Sequence, residues 1–120
     1  MLSSLFEPTY SIFQLCGEIR DFVDEAFPSV WVAGEVQRFR ASPRGHLYFE
    51  LVEKGDRDEI VGKLEGVIWK TDWQRVQRLL AASGQKLADG VTLRCRGGLD
   101  FYAPGGRLQL VVREIDPVFT

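Results

Sequence analysis

The sequence predicts a mainly β fold, in which five strands form one small barrel, with an N-terminal helix and a second helix between strands 3 and 4. Two observations predict it. Short segments rich in β-branched and aromatic residues recur between turns that contain glycine or proline. Two other segments carry apolar residues at helical spacing after a capping signature. The length of 120 residues suits a single domain with one core.

The first helix is predicted to begin after Ser11. Ser11 is followed three residues later by Gln14, which is the capping-box pattern. Apolar residues then recur with helical spacing and form one stripe, made of Ile12, Leu15, Cys16, Ile19, Phe22 and Val23. Such a stripe needs a partner surface, which we expect to be either the barrel or a second copy of the chain.

The strands are predicted from β-forming composition and from alternation. They are expected at residues 30–36, 46–51, 64–69, 91–101 and 108–115. The second strand alternates cleanly, so Leu47 and Phe49 are expected to face the core. By the same alternation His46, Tyr48 and Glu50 are expected to face outward.

Other signals mark bends and boundaries. Gly34 within the first strand predicts a bulge. Residues 53–62 are charged and contain glycine, which predicts a long connection between strands 2 and 3. Thr71 and Gln74 repeat the capping-box pattern and predict the start of the second helix, and Gly84 predicts its end. Trp31 and Trp69 are expected to pack against the helices.

The predicted order is one helix, three strands, a second helix and two strands. Three strands, a helix and two strands is the order of the OB-fold, a five-stranded Greek-key barrel. We therefore expect an N-terminal extension over residues 1–28, an OB-fold over residues 29–117 and a short tail over residues 118–120.

Three ordered blocks of this sequence resemble one family. Residues 27–36, residues 45–51 with their Gly-His-x-aromatic-Phe start, and residues 102–112 with a Tyr-x-Pro-x-Gly-x-x-Gln pattern resemble the N-terminal domain of the exodeoxyribonuclease VII large subunit. The resemblance covers residues 9–117. It implies a domain that binds single-stranded DNA in a bacterial DNA-repair nuclease, which degrades single-stranded DNA to oligonucleotides. It also implies a catalytic region beyond this domain and a small partner subunit, which this domain alone does not bind.

OB-folds bind ligands on the face of strands 2 and 3 and through the 1–2 and 4–5 loops. Single-stranded DNA requires cations for phosphates and aromatic rings for bases. Both kinds of residue are predicted on strand 2 and in or beside these loops, and they are Arg38, Arg40, Arg44, His46, Tyr48, Tyr102 and Arg107. Three further cations, Lys63, Arg94 and Arg96, are expected nearby. The single histidine, His46, has two open interpretations, which are a DNA contact and a structural hydrogen bond.

Other chemistries find little support in the sequence. The formal net charge of −2 is too low for binding through bulk charge alone. Cys16 and Cys95 lie far apart, which disfavours a zinc site, and the acids at residues 56–59 indicate a solvated loop. No catalytic triad, phosphate-binding loop or pair of catalytic carboxylates is visible. We expect no active site, metal or cofactor here, no signal peptide or membrane span, and a cytoplasmic location.

A second function from a different class stays open. The apolar stripe of the first helix could dock another domain or a second copy, which would make the chain a protein-interaction or dimerisation module without direct DNA contact. A homodimer is therefore also possible on the sequence evidence.

Overall fold

The computed structural model describes residues 7–118. They form two helices and five strands: α1 (Ile12–Ala26), β1 (Val30–Ala41), β2 (Leu47–Lys54), β3 (Ile60–Ile68), α2 (Lys70–Ser83), β4 (Thr92–Tyr102) and β5 (Arg107–Ile115). The strands close into a barrel in the order β1-β2-β3-β5-β4. β3 and β5 pair in parallel, and the other neighbours are antiparallel. The predicted mainly β barrel, with helices before β1 and between β3 and β4, is confirmed.

The core lies inside the barrel and is made by the inward side chains of every strand. Leu47, Phe49 and Leu51 of β2 are buried, as the alternation predicted. Phe49 lies against Gly66 of β3, where a Cβ atom would come within 2.8 Å of the ring. α2 covers the core with Val76, and with the buried Leu80 one turn later. Each fully buried side chain of this size stabilises the fold by roughly 1.5–3 kcal/mol.

α1 begins with the predicted capping box, but most of its apolar stripe is not buried. The Ser11 hydroxyl accepts a hydrogen bond from the backbone N–H of Gln14 at 3.1 Å. No residue of α1 is buried in the described structure, and Phe22 is 71% exposed. Only Cys16 and Val23 of the stripe are half-buried. Of the two partner surfaces expected for the stripe, the barrel covers only this part, and the rest stays exposed.

The bulge of β1 lies at Arg38, not at Gly34. The β1–β2 register shifts between Gln37 and Arg40, and Arg38 has a φ of 52°. Gly34 instead pairs regularly, at a point where a Cβ would lie 3.2 Å from the Leu51 side chain. The inserted residue resets the alternation of the strand. As a result Phe39 packs against the core and Arg40 lies on the outer face.

The connection between β2 and β3 is a hairpin, not a long loop. β3 begins at Ile60, four residues before its predicted start, and pairs with the far end of β2. The backbone N–H of Gly55 donates to the carbonyl oxygen of Glu59 at 2.8 Å and closes the turn. The charged residues that indicated a loop are therefore the exposed tip of two extended strands.

Candidate nucleic-acid interface

The 1–2 loop, β2 and the start of β5 meet at a depression of about 320 Å³ on the outside of the barrel. We call it the basic–aromatic groove, lined by Arg40, Ala41, Ser42, Tyr48 and Arg107. The bulge at Arg38 turns Arg40 outward, and alternation turns Tyr48 to the same face, directly opposite it in the register. The two strands on either side of the 1–2 loop, together with the distant start of β5, thus supply one concave surface.

Cations and rings are in contact within the groove. The Arg40 guanidinium carbon lies 5.5 Å from the centre of the Tyr48 ring, which is cation–π distance. Arg40 also donates a hydrogen bond to the backbone oxygen of Arg38 at 3.1 Å. The exposed Tyr102 pairs with Arg107 across the β4–β5 hairpin, at the rim of the same surface. The groove therefore combines guanidinium groups with exposed aromatic surface.

Two further cations lie at the tip of the 1–2 loop and on α2 beside it. Arg44 is exposed, and its side chain has no hydrogen bond or ion pair to any residue in the described range 7–118. Gly45 follows it with a φ of 87°, and a Cβ there would lie 3.4 Å from the side chain of Lys70. Lys70 was not among the residues predicted from sequence, because it lies on α2, but the fold brings it beside this loop.

His46 holds the start of α2. Its Nδ1 atom accepts a hydrogen bond from the backbone N–H of Lys70 at 3.1 Å, and its ring packs edge-on against Trp69 with centroids 5.1 Å apart. The Trp69 ring is also edge-on to Tyr48, at 6.4 Å. Of the two interpretations of His46, the structural hydrogen bond is present. The Thr71 capping box is wrong, because the N-cap of α2 is Trp69, two residues earlier, and the helix begins at Lys70.

Trp69 is the aromatic residue of this face that sequence reasoning missed. It was expected to pack against a helix, but it lies beside His46 and Tyr48. The pattern of β3 gave no clear signal for it, because Gly66, Val67 and Ile68 before it are all buried and the strand does not alternate there.

Several predicted cations are paired with carboxylates of the strands. Glu50 of β2, whose side chain is only 12% exposed, lies 3.7 Å from Arg38 and 3.4 Å from Lys63. Arg107 lies 3.6 Å from Glu65. The face is therefore compensated in charge, not simply basic. The Arg107–Glu65 pair is exposed on both sides, and a pair of that kind contributes about 0–1 kcal/mol.

Arg94 and Arg96 lie elsewhere, and the expectation that they are near the loops is wrong. They flank Trp31 on the β1–β4 wall, with the Arg94 guanidinium carbon 4.0 Å from the centre of the Trp31 ring. Arg94 pairs with Asp116 at 3.0 Å, and Arg96 pairs with Glu114 and lowers the pKa of that carboxyl. Arg40 lies nine residues after Trp31 in β1, about 30 Å along an extended strand.

Trp31 does not pack against a helix as expected. It is 43% exposed, and its ring is covered on the outside of the barrel by the two arginines. The ion pairs hold these arginines in place, so this cluster has a structural explanation within the barrel wall.

Other kinds of site find no support in the described part of the chain. Within residues 7–118 there is no group of three or more His, Cys, Asp or Glu residues placed to hold a metal ion. Burial raises the pKa of the Cys95 thiol to about 12, which keeps it protonated and unreactive near neutral pH. No helix among these residues is both long and apolar enough to cross a membrane.

Two solved structures that share this fold are of single-stranded DNA binding proteins. The chain is similar to a small single-stranded DNA binding protein from Mycoplasma pneumoniae, with a TM-score of 0.53 and 11% identity over 78% of this chain and 97% of that one. It is also similar to a mitochondrial single-stranded DNA binding protein from S. cerevisiae, with a TM-score of 0.52 and 12% identity over 78% of this chain and 98% of that one. These likenesses establish the fold.

Sequence relatives are longer proteins. The chain is 36% identical over 115 residues to the exodeoxyribonuclease 7 large subunit of Rhodopirellula baltica, which is 96% of this chain and 23% of that protein. It is 28% identical over 107 residues to the same subunit of Pseudomonas putida, which is 89% of this chain and 20% of that protein. The chain thus spans about a fifth of the length of these relatives. Residues 10–116 also match a family of domains described as OB-fold nucleic acid binding domains, and with the barrel and its groove this shows that the chain belongs to that family.

Proposed function

We propose that the chain binds single-stranded DNA in the basic–aromatic groove, with little sequence preference. The observation that carries the proposal is that Arg40, Tyr48 and Arg107, from three separate segments, line one depression on the outside of the barrel. Arginine side chains contact phosphates, and an aromatic ring stacks on any base because every base has a π face. Duplex DNA hides those faces and should bind less well.

The charge pattern favours weak binding that depends on stacking. The net charge is −2, and three cations of the face are already ion-paired with Glu50 or Glu65. Each base stacked on an aromatic side chain contributes about 1–3 kcal/mol, so Tyr48 and Tyr102 can offset a small electrostatic contribution. Arg44 at the tip of the 1–2 loop and Lys70 of α2 beside it supply cations that contact no carboxylate among residues 7–118.

We also propose a place for this binding in a larger enzyme. Similarity to exodeoxyribonuclease 7 large subunits, of which the chain spans about a fifth, supports a domain that delivers single-stranded DNA to an exodeoxyribonuclease. In this proposal hydrolysis to oligonucleotides belongs to a catalytic region outside this domain, and the small subunit also associates outside it. The domain itself supplies binding without hydrolysis.

Fluorescence anisotropy of a labelled oligothymidine tests the groove. Tyr48→Ala should weaken binding by about 1–3 kcal/mol through lost stacking. Arg107→Ala should also weaken it, because a phosphate contact is lost. Glu65→Gln should tighten binding, because it removes a carboxylate that competes for Arg107 at 3.6 Å. Opposite signs at two residues in contact are not expected from general damage to the fold.

The matched control is Arg78→Ala on α2. It removes one exposed positive charge more than two helical turns from Lys70, and we expect unchanged affinity. If Tyr48→Ala and Arg107→Ala bind like the parent at the same salt concentration, the groove is not the binding site. If duplex DNA of equal length binds as tightly as the single strand, stacking is not the basis of recognition.

A further inference from the structure

α1 presents an uncovered apolar strip to solvent. The helix touches the barrel through one edge of its stripe, where Cys16 and Val23 are half-buried. The other edge points away from the barrel and is formed by Leu15, Ile19 and Phe22, which are 44%, 37% and 71% exposed. We call these three residues the open strip. Large apolar side chains grouped in this way on a domain surface mark interaction sites.

The border of the open strip is acidic. At 100° per residue, Glu18 and Glu25 lie next to Phe22 on the side away from the barrel, and Asp21 lies beyond them. The hydroxyl of Tyr10 donates a hydrogen bond to the Glu18 carboxylate at 2.6 Å, which fixes that side chain beside the strip. Arg20 lies on the opposite side of the helix and its charge is paired with Asp21 at 3.2 Å.

This charge pattern selects among possible occupants. A second copy packed strip to strip would place Glu18 and Glu25 beside identical carboxylates, and like charges across an interface are unfavourable. Nucleic acid and anionic lipid surfaces would be repelled by the same acids. A helix with an apolar stripe bordered by lysine or arginine meets both requirements, because it covers the strip and pairs with the acids.

We propose that α1 is the docking face for a cationic amphipathic helix of a partner protein. Apolar side chains of that helix pack on Leu15, Ile19 and Phe22, and its flanking cations pair with Glu18 and Glu25. The site lies on a different part of the molecule from the basic–aromatic groove and does not depend on DNA binding. It extends the function of the domain from nucleic-acid binding to assembly with another protein.

The probe is a synthetic helical peptide of three heptads, with leucine at the a and d positions and lysine at e and g. A peptide with glutamate in place of lysine is its counterpart. Binding to the intact chain is measured by anisotropy of the labelled peptides. We expect the lysine peptide to bind and the glutamate peptide to bind at least about tenfold more weakly, because only the first complements the acidic border.

Variants locate the binding. The double variant Ile19→Ser and Phe22→Ser should lower the affinity for the lysine peptide about tenfold or more. The double variant Glu18→Gln and Glu25→Gln should lower this affinity severalfold. The matched control is Glu53→Gln with Asp56→Asn, which removes two exposed acids of the β2–β3 hairpin and should leave binding unchanged. Because the residues of the open strip are not buried, far-UV circular dichroism should show that all of these variants fold.

Four results would overturn the proposal. The first is equal binding of the lysine peptide by the parent and by the serine double variant. The second is equal binding of the two peptides. The third is concentration-dependent dimerisation of the chain in sedimentation that Phe22→Ser abolishes, since the occupant would then be a second copy. The fourth is binding to phosphatidylserine vesicles that the same variant abolishes.

Discussion

At the scale of single residues, Gly97 of β4 leaves no room for a side chain beside the backbone of β5. A Cβ atom there would lie 2.0 Å from the carbonyl oxygen of Val111, at the irregularity in the β4–β5 register. Neither strand can move away without breaking its pairing, so Gly97→Ala should lower the free energy of unfolding by about 3 kcal/mol, the upper end of ordinary overpacking. Urea unfolding followed by tryptophan fluorescence measures the change.

Gly62 is the matched control for this substitution. It also lies in a strand, but a Cβ there would meet only the Glu53 side chain, at the ordinary contact distance of 3.9 Å. Gly62→Ala should leave stability unchanged or slightly raised, because alanine has less conformational freedom in the unfolded chain. Equal losses from the two substitutions would show that the Val111 carbonyl is not the cause.

The residues of the groove were predictable to different degrees. Alternation alone turned Tyr48 outward, and the turn residues placed Arg107 at the 4–5 loop. The orientation of Arg40 depends on the bulge at Arg38, where φ is positive. Positive φ is uncommon for arginine, so the residue type at this position does not indicate a bulge. The pairing of Arg107 with Glu65 depends on a parallel contact between β3 and β5 that has no local signature.

At the scale of elements, the start of α2 depends on a side chain from the 1–2 loop, at the residue just before β2. His46 accepts the hydrogen bond that Trp69, at the N-cap position, does not provide with its own side chain. His46→Gln should cost about 0.5–2 kcal/mol of stability, the usual range for a lost cap. His46→Asn should cost less, because the asparagine oxygen can occupy the position of Nδ1. Thermal unfolding of both variants, monitored by circular dichroism, measures the difference.

Outcomes of this comparison separate two roles of His46. If both variants keep parental stability but lose DNA affinity, the imidazole acts as a DNA contact and not as a cap. Equal destabilisation by asparagine and glutamine would show that ring packing against Trp69 matters more than the hydrogen bond.

Local signals explain which elements were predicted well. The Ser11 capping box specified the first residue of α1, because both of its hydrogen bonds lie within four residues of sequence. Gly84, in the left-handed conformation, ended α2 as predicted. The start of α2 was missed because its cap comes from His46, 24 residues earlier. Exposure of the α1 stripe was also not predictable, because helical spacing shows that a surface is apolar but not what covers it.

At the scale of the whole molecule, we predict that this chain has no nuclease activity of its own. The motive is the lack of any catalytic constellation in the sequence and of any metal-holding group within residues 7–118. Labelled single-stranded DNA incubated with the chain, with and without magnesium, should remain intact. Reproducible cleavage that persists through repeated purification and is lost on Tyr48→Ala would contradict the prediction.

The topology of the barrel was predictable from the order of its elements, because three strands, a helix and two strands admit few right-handed connections. The position of individual side chains around the barrel was less predictable from the sequence. Arg94 and Arg96 have the composition of a DNA-binding strand, but β4 pairs with the start of β1 and places them beside Trp31. The position of a side chain around a closed barrel is set by the pairing of strands that are distant in sequence, and no local sequence pattern indicates that pairing.

The carboxylates that pair with the cations of the face have a consequence for the ion balance of binding. A phosphate group that binds Arg107 must first separate this residue from Glu65. A phosphate group that binds Arg38 or Lys63 must first separate that cation from Glu50. Binding releases counterions from the DNA, and this release is less favourable at high salt concentration, so added salt weakens the complex. Added salt also screens the internal ion pairs of the free protein, so that less free energy is needed to separate them. The two effects oppose each other. The logarithm of affinity should therefore fall with the logarithm of salt concentration less steeply than about 0.7 per phosphate contacted, and a domain of this kind would hold its substrate over a wider range of ionic strength than an uncompensated basic surface.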